Sequence, residues 1–303
     1  MKTTLIQMAL IMACGTAWRF IKPQGLSAEQ TRHVLTTVIY YLFLPAMVFE
    51  VLWKADIGVH SLEYTGLGVA AVCSGLAISW FFCTLFKFTP AQKGAVILAT
   101  AFPNVTYLGL PVLAQTFGPW ARSVAIQLDF FAAGPLLFTI GIAIARYFGE
   151  DGKKPVFFLN YLNTPPFWAA FLAVLLNINN IPAPDWLYGV FQKMSAAVVP
   201  VMLFSLGLAL SWESVRLRNL PYVLPVIAGR LILVPLGLTL LLPFLTIDKL
   251  HQHAALLDLS MPSMVLGIVF CDRYKLDSGL YAMSVTMTTL LSLISLPFWY
   301  DYL

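Results

Sequence analysis

Polar side chains set inside apolar runs are where this sequence offers chemistry. Four ionisable residues, Asp129, Lys193, Arg230 and Asp258, lie more than a turn inside such runs. A charge at that depth in hydrocarbon is costly, so it defaults to a substrate contact, an ion pathway or a counter-ion. Arg230 is nearest the middle of its run, and its planar fork matches a carboxylate. Asp258, one turn before Pro262, is the leading candidate to carry a proton or hold a coupling cation, and Asp129 is the second. A plainer account pairs Arg230 or Lys193 with an aspartate as a structural ion pair. For Lys193 and Asp129 it can also let the side chain reach the membrane surface. Uncharged candidates join them: Asn104, Thr106 and Tyr107 in AFPNVTYLGLP (Ala101 to Pro111), and Ser263 in LSMPSMVLG (Leu259 to Gly267). The Asn104 amide can face a ligand or cap freed backbone donors, and the Ser263 hydroxyl can do the former or bond its own helix. Tyr107 packs, but its hydroxyl needs a partner at that depth.

These groups need an element that turns them inward, and the two short stretches supply one. Pro103 and Pro111 fall inside an apolar segment, with Gly109 between them. Proline removes a helical hydrogen bond and clashes with the carbonyl four residues back. In hydrocarbon such a break survives only where the freed backbone is buried in protein or lines a wet cavity. The expectation is a discontinuous helix exposing Asn104 at mid-membrane depth, as in the substrate sites of many secondary transporters. Pro262 and Gly267 mark a weaker second copy. Gly109, Pro111, Pro262 and Gly267 are expected to shape a crossing of the two breaks without touching a ligand.

The chain divides into ten apolar spans, at about Thr4–Phe20, Val34–Leu52, Leu62–Phe86, Ala91–Phe117, Ala121–Tyr147, Phe167–Leu176, Trp186–Leu210, Leu220–Leu245, His253–Phe270 and Leu280–Trp299. The fourth and ninth are the broken ones. A polar loop, GEDGKKP, separates five spans from five, giving residues 1–148, a cytoplasmic linker at 149–157, and 158–303. The halves echo each other. Pro45-Ala-Met-Val-Phe49 in span 2 matches Pro200-Val-Met-Leu-Phe204 in span 7 at an offset of 155 residues, and Pro103 matches Pro262 at 159. An odd number of spans in each half makes the repeat inverted in the membrane. Basic residues concentrate on the side of the loops after spans 1, 3, 5, 7 and 9, against only Lys2, Lys54, Arg122 and Lys249 opposite. Positive residues stay inside, so both termini are expected outside the bacterial inner (plasma) membrane.

Composition excludes several classes. The 303 residues are 59% hydrophobic and 11% charged, well under the roughly one quarter charged of soluble domains. The first twenty residues read as a first span. The net charge of +4 is spread over short loops and encodes orientation, with no nucleic-acid partner implied. Cys14, Cys73, Cys83 and Cys271 have no metal spacing and read as packing residues. An intramembrane aspartyl enzyme has only the two aspartates in its favour, with no GxGD, HExxH or GxSxG motif, and a channel has no use for an inverted repeat.

Pro103-Asn104, four residues, then Gly109-Leu110-Pro111 resembles the PN-x4-G-x-P signature of the auxin efflux carrier family, plant auxin carriers and bacterial malate and malonate permeases. Pro262, Val269-Phe270, Tyr274 and the final SLISLPFW follow the same family order, and with the Pro45 pattern the likeness covers essentially the whole chain. The resemblance implies an all-α polytopic membrane protein whose fold is similar to bile-acid transporters and sodium/proton antiporters. Spans 4 and 9 would cross, spans 1, 2, 6 and 7 would form a scaffold and the surface for a homodimer, and the rest would move as an elevator. The implied function is secondary transport of a small organic carboxylate. The alternative is a sodium-coupled symporter of a larger amphipathic anion on the same fold. No cofactor is called for, coupling to H+ or Na+ is left open, and lipid is the surrounding partner. Ser263 stands where the plant carriers have Gln, and Gly267 where they have a second proline.

Overall fold

The computed structural model describes residues 2–302 except 56, 150–161, 163 and 216. Residues 150–157 of the expected linker therefore lie outside the described residues. Everything described is helix or short connection, apart from one isolated antiparallel bridge. In chain order the main helices are α1 (Lys2–Ile21), α2 (Ala28–Trp53), α3 (Val59–Leu85), α4 (Pro90–Ala101), α5 (Val105–Phe117) and α6 (Ala121–Phe148). They continue as α7 (Pro165–Ile178), α8 (Asp185–Ala209), α9 (Leu220–Phe244), α10 (Lys249–Leu259), α11 (Gly267–Arg273) and α12 (Ser278–Tyr302). Among them α2, α3, α6, α8, α9 and α12 are long and apolar enough to cross a membrane. Rings and aliphatic chains such as Phe20, Leu62, Trp80, Trp186 and Phe244 stay exposed, as the surface of a polytopic membrane protein requires. Spans 4 and 9 appear as the half-length pairs α4/α5 and α10/α11.

Local chemistry sets the boundaries, and twice it corrects the expected ones. α2 begins at Ala28, well before Val34, because Ser27 and Gln30 close a reciprocal capping box that satisfies two orphan donors. Residues 28–33, expected in a polar link, are its first turns. α10 begins at Lys249 and not His253, because Asp248 accepts the His251 N–H as its cap; that bond holds the Asp248 carboxyl below its usual range. Thr89 and Gln92 box the start of α4, with Pro90 at the first helical position. Gly118 ends α5 at a φ of 100°, a backbone region open to glycine.

The helices sort into two groups by packing. α1 lies along α8, α7 along α2, and α2 against α8. α3 packs on α4, α4 on α6 and α12, and α9 on α12 and α4. Contacts between the groups run mainly through α5 and α6, which meet α8 and α2. Met8, Met47, Leu52, Leu108 and Leu113 are sealed in that seam.

Candidate functional site

The two helix breaks meet face to face. α4 stops at Ala101 and α5 starts at Val105, so only Phe102, Pro103 and Asn104 lie outside helix. Between α10 and α11 the break is longer, Ser260 to Leu266. Pro103 pairs with Ser263 in an antiparallel bridge. The Asn104 N–H donates to the Pro262 carbonyl at 2.8 Å, and the Met264 N–H to the Phe102 carbonyl at 3.0 Å. Proline has no N–H, and both prolines sit where the bridge asks for none. Each break thus supplies the hydrogen bonds that the other lost.

Beside the bridge lies a cavity of about 90 Å³. Its polar wall is Tyr40 of α2, Asn104, Thr106 and Tyr107 of the first break and α5, Asp129 of α6, and Thr164 before α7. Its apolar wall includes Leu44, Phe130, Leu137, Phe138, Pro166, Met264 and Leu266. The cavity therefore lies in the seam between the two helix groups. Asn104 is 1% exposed, and its amide Nδ2 has no hydrogen-bond partner. A buried unsatisfied donor is costly, and this one belongs to a residue of the cavity wall. The Thr106 hydroxyl donates to Asp129. No basic side chain is among the residues lining this cavity.

Of the sequence candidates, Asn104, Thr106, Tyr107 and Asp129 line the cavity, while Ser263, Arg230 and Asp258 do not. Ser263 donates its N–H to Thr288 Oγ1 at 3.2 Å, and its own hydroxyl is buried without a partner. Asp258 is fully buried with neither carboxylate oxygen bonded, and it packs against Gly109, where a Cβ would overlap Oδ1. Gly109 is therefore a space requirement of Asp258. Gly267 opens α11 against the Tyr281 ring, and Pro111 sits in the first turn of the regular part of α5. Arg230 is entirely buried and donates to the carbonyls of Thr100 (3.3 Å), Ala101 (3.5 Å) and Leu259. Among the described residues no ion pair involves Arg230, Lys193, Asp129 or Asp258. The structural-pair account of these charges is thereby corrected: Lys193 faces outward from α8, and Arg230 has backbone carbonyls for partners.

Comparison with known proteins decides the family. A family model described as membrane transport protein, that of the auxin efflux carriers, matches residues 2–300. The chain belongs to this family. A transporter of Methanothermobacter thermautotrophicus described as uncharacterized is 29% identical over 291 residues, covering 92% of this chain and 91% of the relative. One from Methanocaldococcus jannaschii, described in the same way, is 27% identical over 291 residues, covering 92% of each.

In this carrier the residues at the crossing share a backbone device that sequence reasoning missed. Tyr40, Thr106 with Tyr107, Asp129 and Arg230 each lie in a widened π-turn, at Ile39–Phe43, Val105–Gly109, Asp129–Ala133 and Gly229–Leu233. A proline follows each turn two residues on: Pro45, Pro111, Pro135 and Pro235. The missing proline N–H frees the carbonyl four residues back, and the turn opens. Leu231 shows where such a carbonyl goes, accepting from Trp299 Nε1 at 2.8 Å. The signal was available as a proline four to six residues after each polar residue. Thr164 comes from the distant start of α7, and nothing local marks it as part of the cavity.

A second, wider cavity of about 400 Å³ lies along the same seam. It includes Glu50, Lys54, His60, Arg122, Tyr188, Asp248 and His251. Here Arg122 of α6 grips Glu50 of α2 through two bonds, 2.9 and 3.0 Å, and Ser195 of α8 bonds both partners. Such a fork-on-carboxylate pair is among the stronger polar contacts, and it ties one helix group to the other. Lys54 Nζ sits 3.6 Å from the centre of the Tyr188 ring.

Proposed function

We propose that this carrier is a secondary transporter of a small organic carboxylate, bound at the crossing between α4/α5 and α10/α11. The observation that carries the reading is the unpartnered Asn104 amide at the start of α5, facing a cavity between the two helix groups. A helix N-terminus favours negative charge, and Asn104 adds a donor at the same point. The largely apolar remainder of the lining favours an anion with one carboxylate and an apolar body over a dicarboxylate. Asp129 shares the cavity, so an anion there meets a like charge unless a proton or sodium ion enters with it. That conflict supports coupling, with Asp129 and the neighbouring Asp258 as its groups.

In this reading the ten spans form a five-plus-five inverted repeat. α1, α2, α7 and α8 are the scaffold and dimer surface, the other helices move as an elevator, and both termini face outward. The Glu50–Arg122–Ser195 cluster is then the latch that must open for the moving group to slide. Uptake of labelled mono- and dicarboxylates into proteoliposomes, with and without sodium and pH gradients, tests the reading. Accumulation of a monocarboxylate is the expected result. Failure to take up any carboxylate under any gradient overturns it.

A further inference from the structure

The C-terminal end of a helix presents free carbonyls and a partial negative charge. In secondary transporters with broken helices, such ends and the unwound carbonyls beside them coordinate the coupling cation. Two of these ends converge here. α4 offers the Thr100 and Ala101 carbonyls and α10 offers that of Leu259, and all three accept from the one Arg230 guanidinium. Arg230 has no accessible surface, and no carboxylate pairs with it among the described residues. Its counter-charge is the pair of helix ends. The backbone is shaped for this: Arg230 rides on a π-turn of α9, and its neighbour Gly229 lets α9 close on the first break, where a Cβ would come within 2.7 Å of the Thr100 methyl. The guanidinium stays out of the cavity lining, so it serves the ends of the half-helices and leaves the cavity to the ligand.

We propose that Arg230 is a permanently attached replacement for an alkali cation at the crossing, so that the crossing is assembled without sodium or potassium. Arg230 is then a positioning residue, and coupling through this point is closed to metal cations. Any proton or sodium coupling must run through Asp129 and Asp258. The inference goes beyond the anion reading and does not depend on which anion is carried.

The test needs no substrate, so its failure is separable from failure of the transport reading. Thermal unfolding of the purified protein is followed in the chlorides of sodium, potassium and choline at equal ionic strength. With Asp129→Asn and Asp258→Asn in place to remove the carboxylates left open to sodium, the protein is expected to melt at the same temperature in all three, and a specific rise in sodium or potassium overturns the proposal. Arg230→Ala is expected to melt roughly 5–10 °C lower and to recover part of that loss in low-millimolar guanidinium, which leaves the parent unchanged. A variant that does not respond to guanidinium overturns the proposal as well. If the alanine variant does not fold, Arg230→Lys and Arg230→Met decide. Lysine keeps a cation that can reach some of the carbonyls and should melt higher, and methionine equal to lysine rules the proposal out.

Discussion

The two breaks at the crossing share a backbone plan and differ in almost everything else. The first is three residues long and gives the cavity its amide, with the hydroxyls of Thr106 and Tyr107 just beyond it in α5. The second is seven residues long, gives the cavity only Met264 and Leu266, and leans on α12, where the Tyr281 hydroxyl donates to the Met264 carbonyl at 2.7 Å and Thr288 receives the Ser263 N–H. A short break is fixed by its own prolines and by the bridge. A long one leaves more backbone to satisfy, and its neighbour does so. The matching of Pro103 with Pro262 therefore preserves the crossing without preserving the places of Asn104 and Ser263: one lines the cavity and the other does not, and in the proposed function one break recognises while the other supports.

Four substitutions would break or sharpen that division. The largest effect is expected from Asn104→Ala. Hydrogen bonds to charged groups are worth about 1.5–3 kcal/mol, so affinity for the transported carboxylate should fall roughly 10- to 100-fold, read as loss of the substrate-induced thermal shift. Next is Met264→Asn, which places a second amide in the apolar wall. It should weaken an apolar monocarboxylate by about 1–2 kcal/mol and shift preference towards a dicarboxylate in competition uptake. Pro103→Ala should matter less. The bridge bonds made by Asn104 and Met264 hold the break in place without the proline, so affinity should change by under about threefold with an unchanged helical circular dichroism spectrum. Smallest is Ser263→Ala, which removes a buried hydroxyl without a partner. Stability and affinity should both stay within about 0.5 kcal/mol of the parent. If Ser263→Ala instead matched Asn104→Ala in lost affinity, both breaks would be recognition elements and the division would fall.

The sequence is most readable where cause and effect lie within a few residues. Pro103 and Pro262 interrupt their own helices, and Gly118 ends its own, so the breaks and stops follow from the sequence itself. The cavity face of Asn104, Thr106 and Tyr107 follows from the same local cause. Arg230 shows the limit. A buried arginine in a sequence suggests an acidic partner or an anion, because those are the partners that side-chain identities can display. Its real partners are carbonyls of Thr100, Ala101 and Leu259, and every residue has a carbonyl. Ser263 misleads for a related reason: register along the chain equates it with Asn104, whereas the longer second break directs Met264 to the cavity. The Glu50–Arg122–Ser195 cluster draws on three helices, and only the packing of α2, α6 and α8 brings its members together.

The widened turns carry a consequence for insertions and deletions. A π-turn holds one residue more than the α-helical turn it replaces, and each residue in a helix advances the chain by about 100°. Removing one residue from Asp129–Ala133 would let α6 close into plain helix there and leave everything beyond it, Phe138 included, facing nearly as before. A deletion at an ordinary position of α6 would instead rotate its far half by about 100°, with no turn able to absorb it. In these spans the count of residues is thus part of the site. A variant one residue shorter at a π-turn would lose the bulge and its freed carbonyl yet keep its far half in place; one shorter elsewhere would be a well-formed helix facing the wrong way.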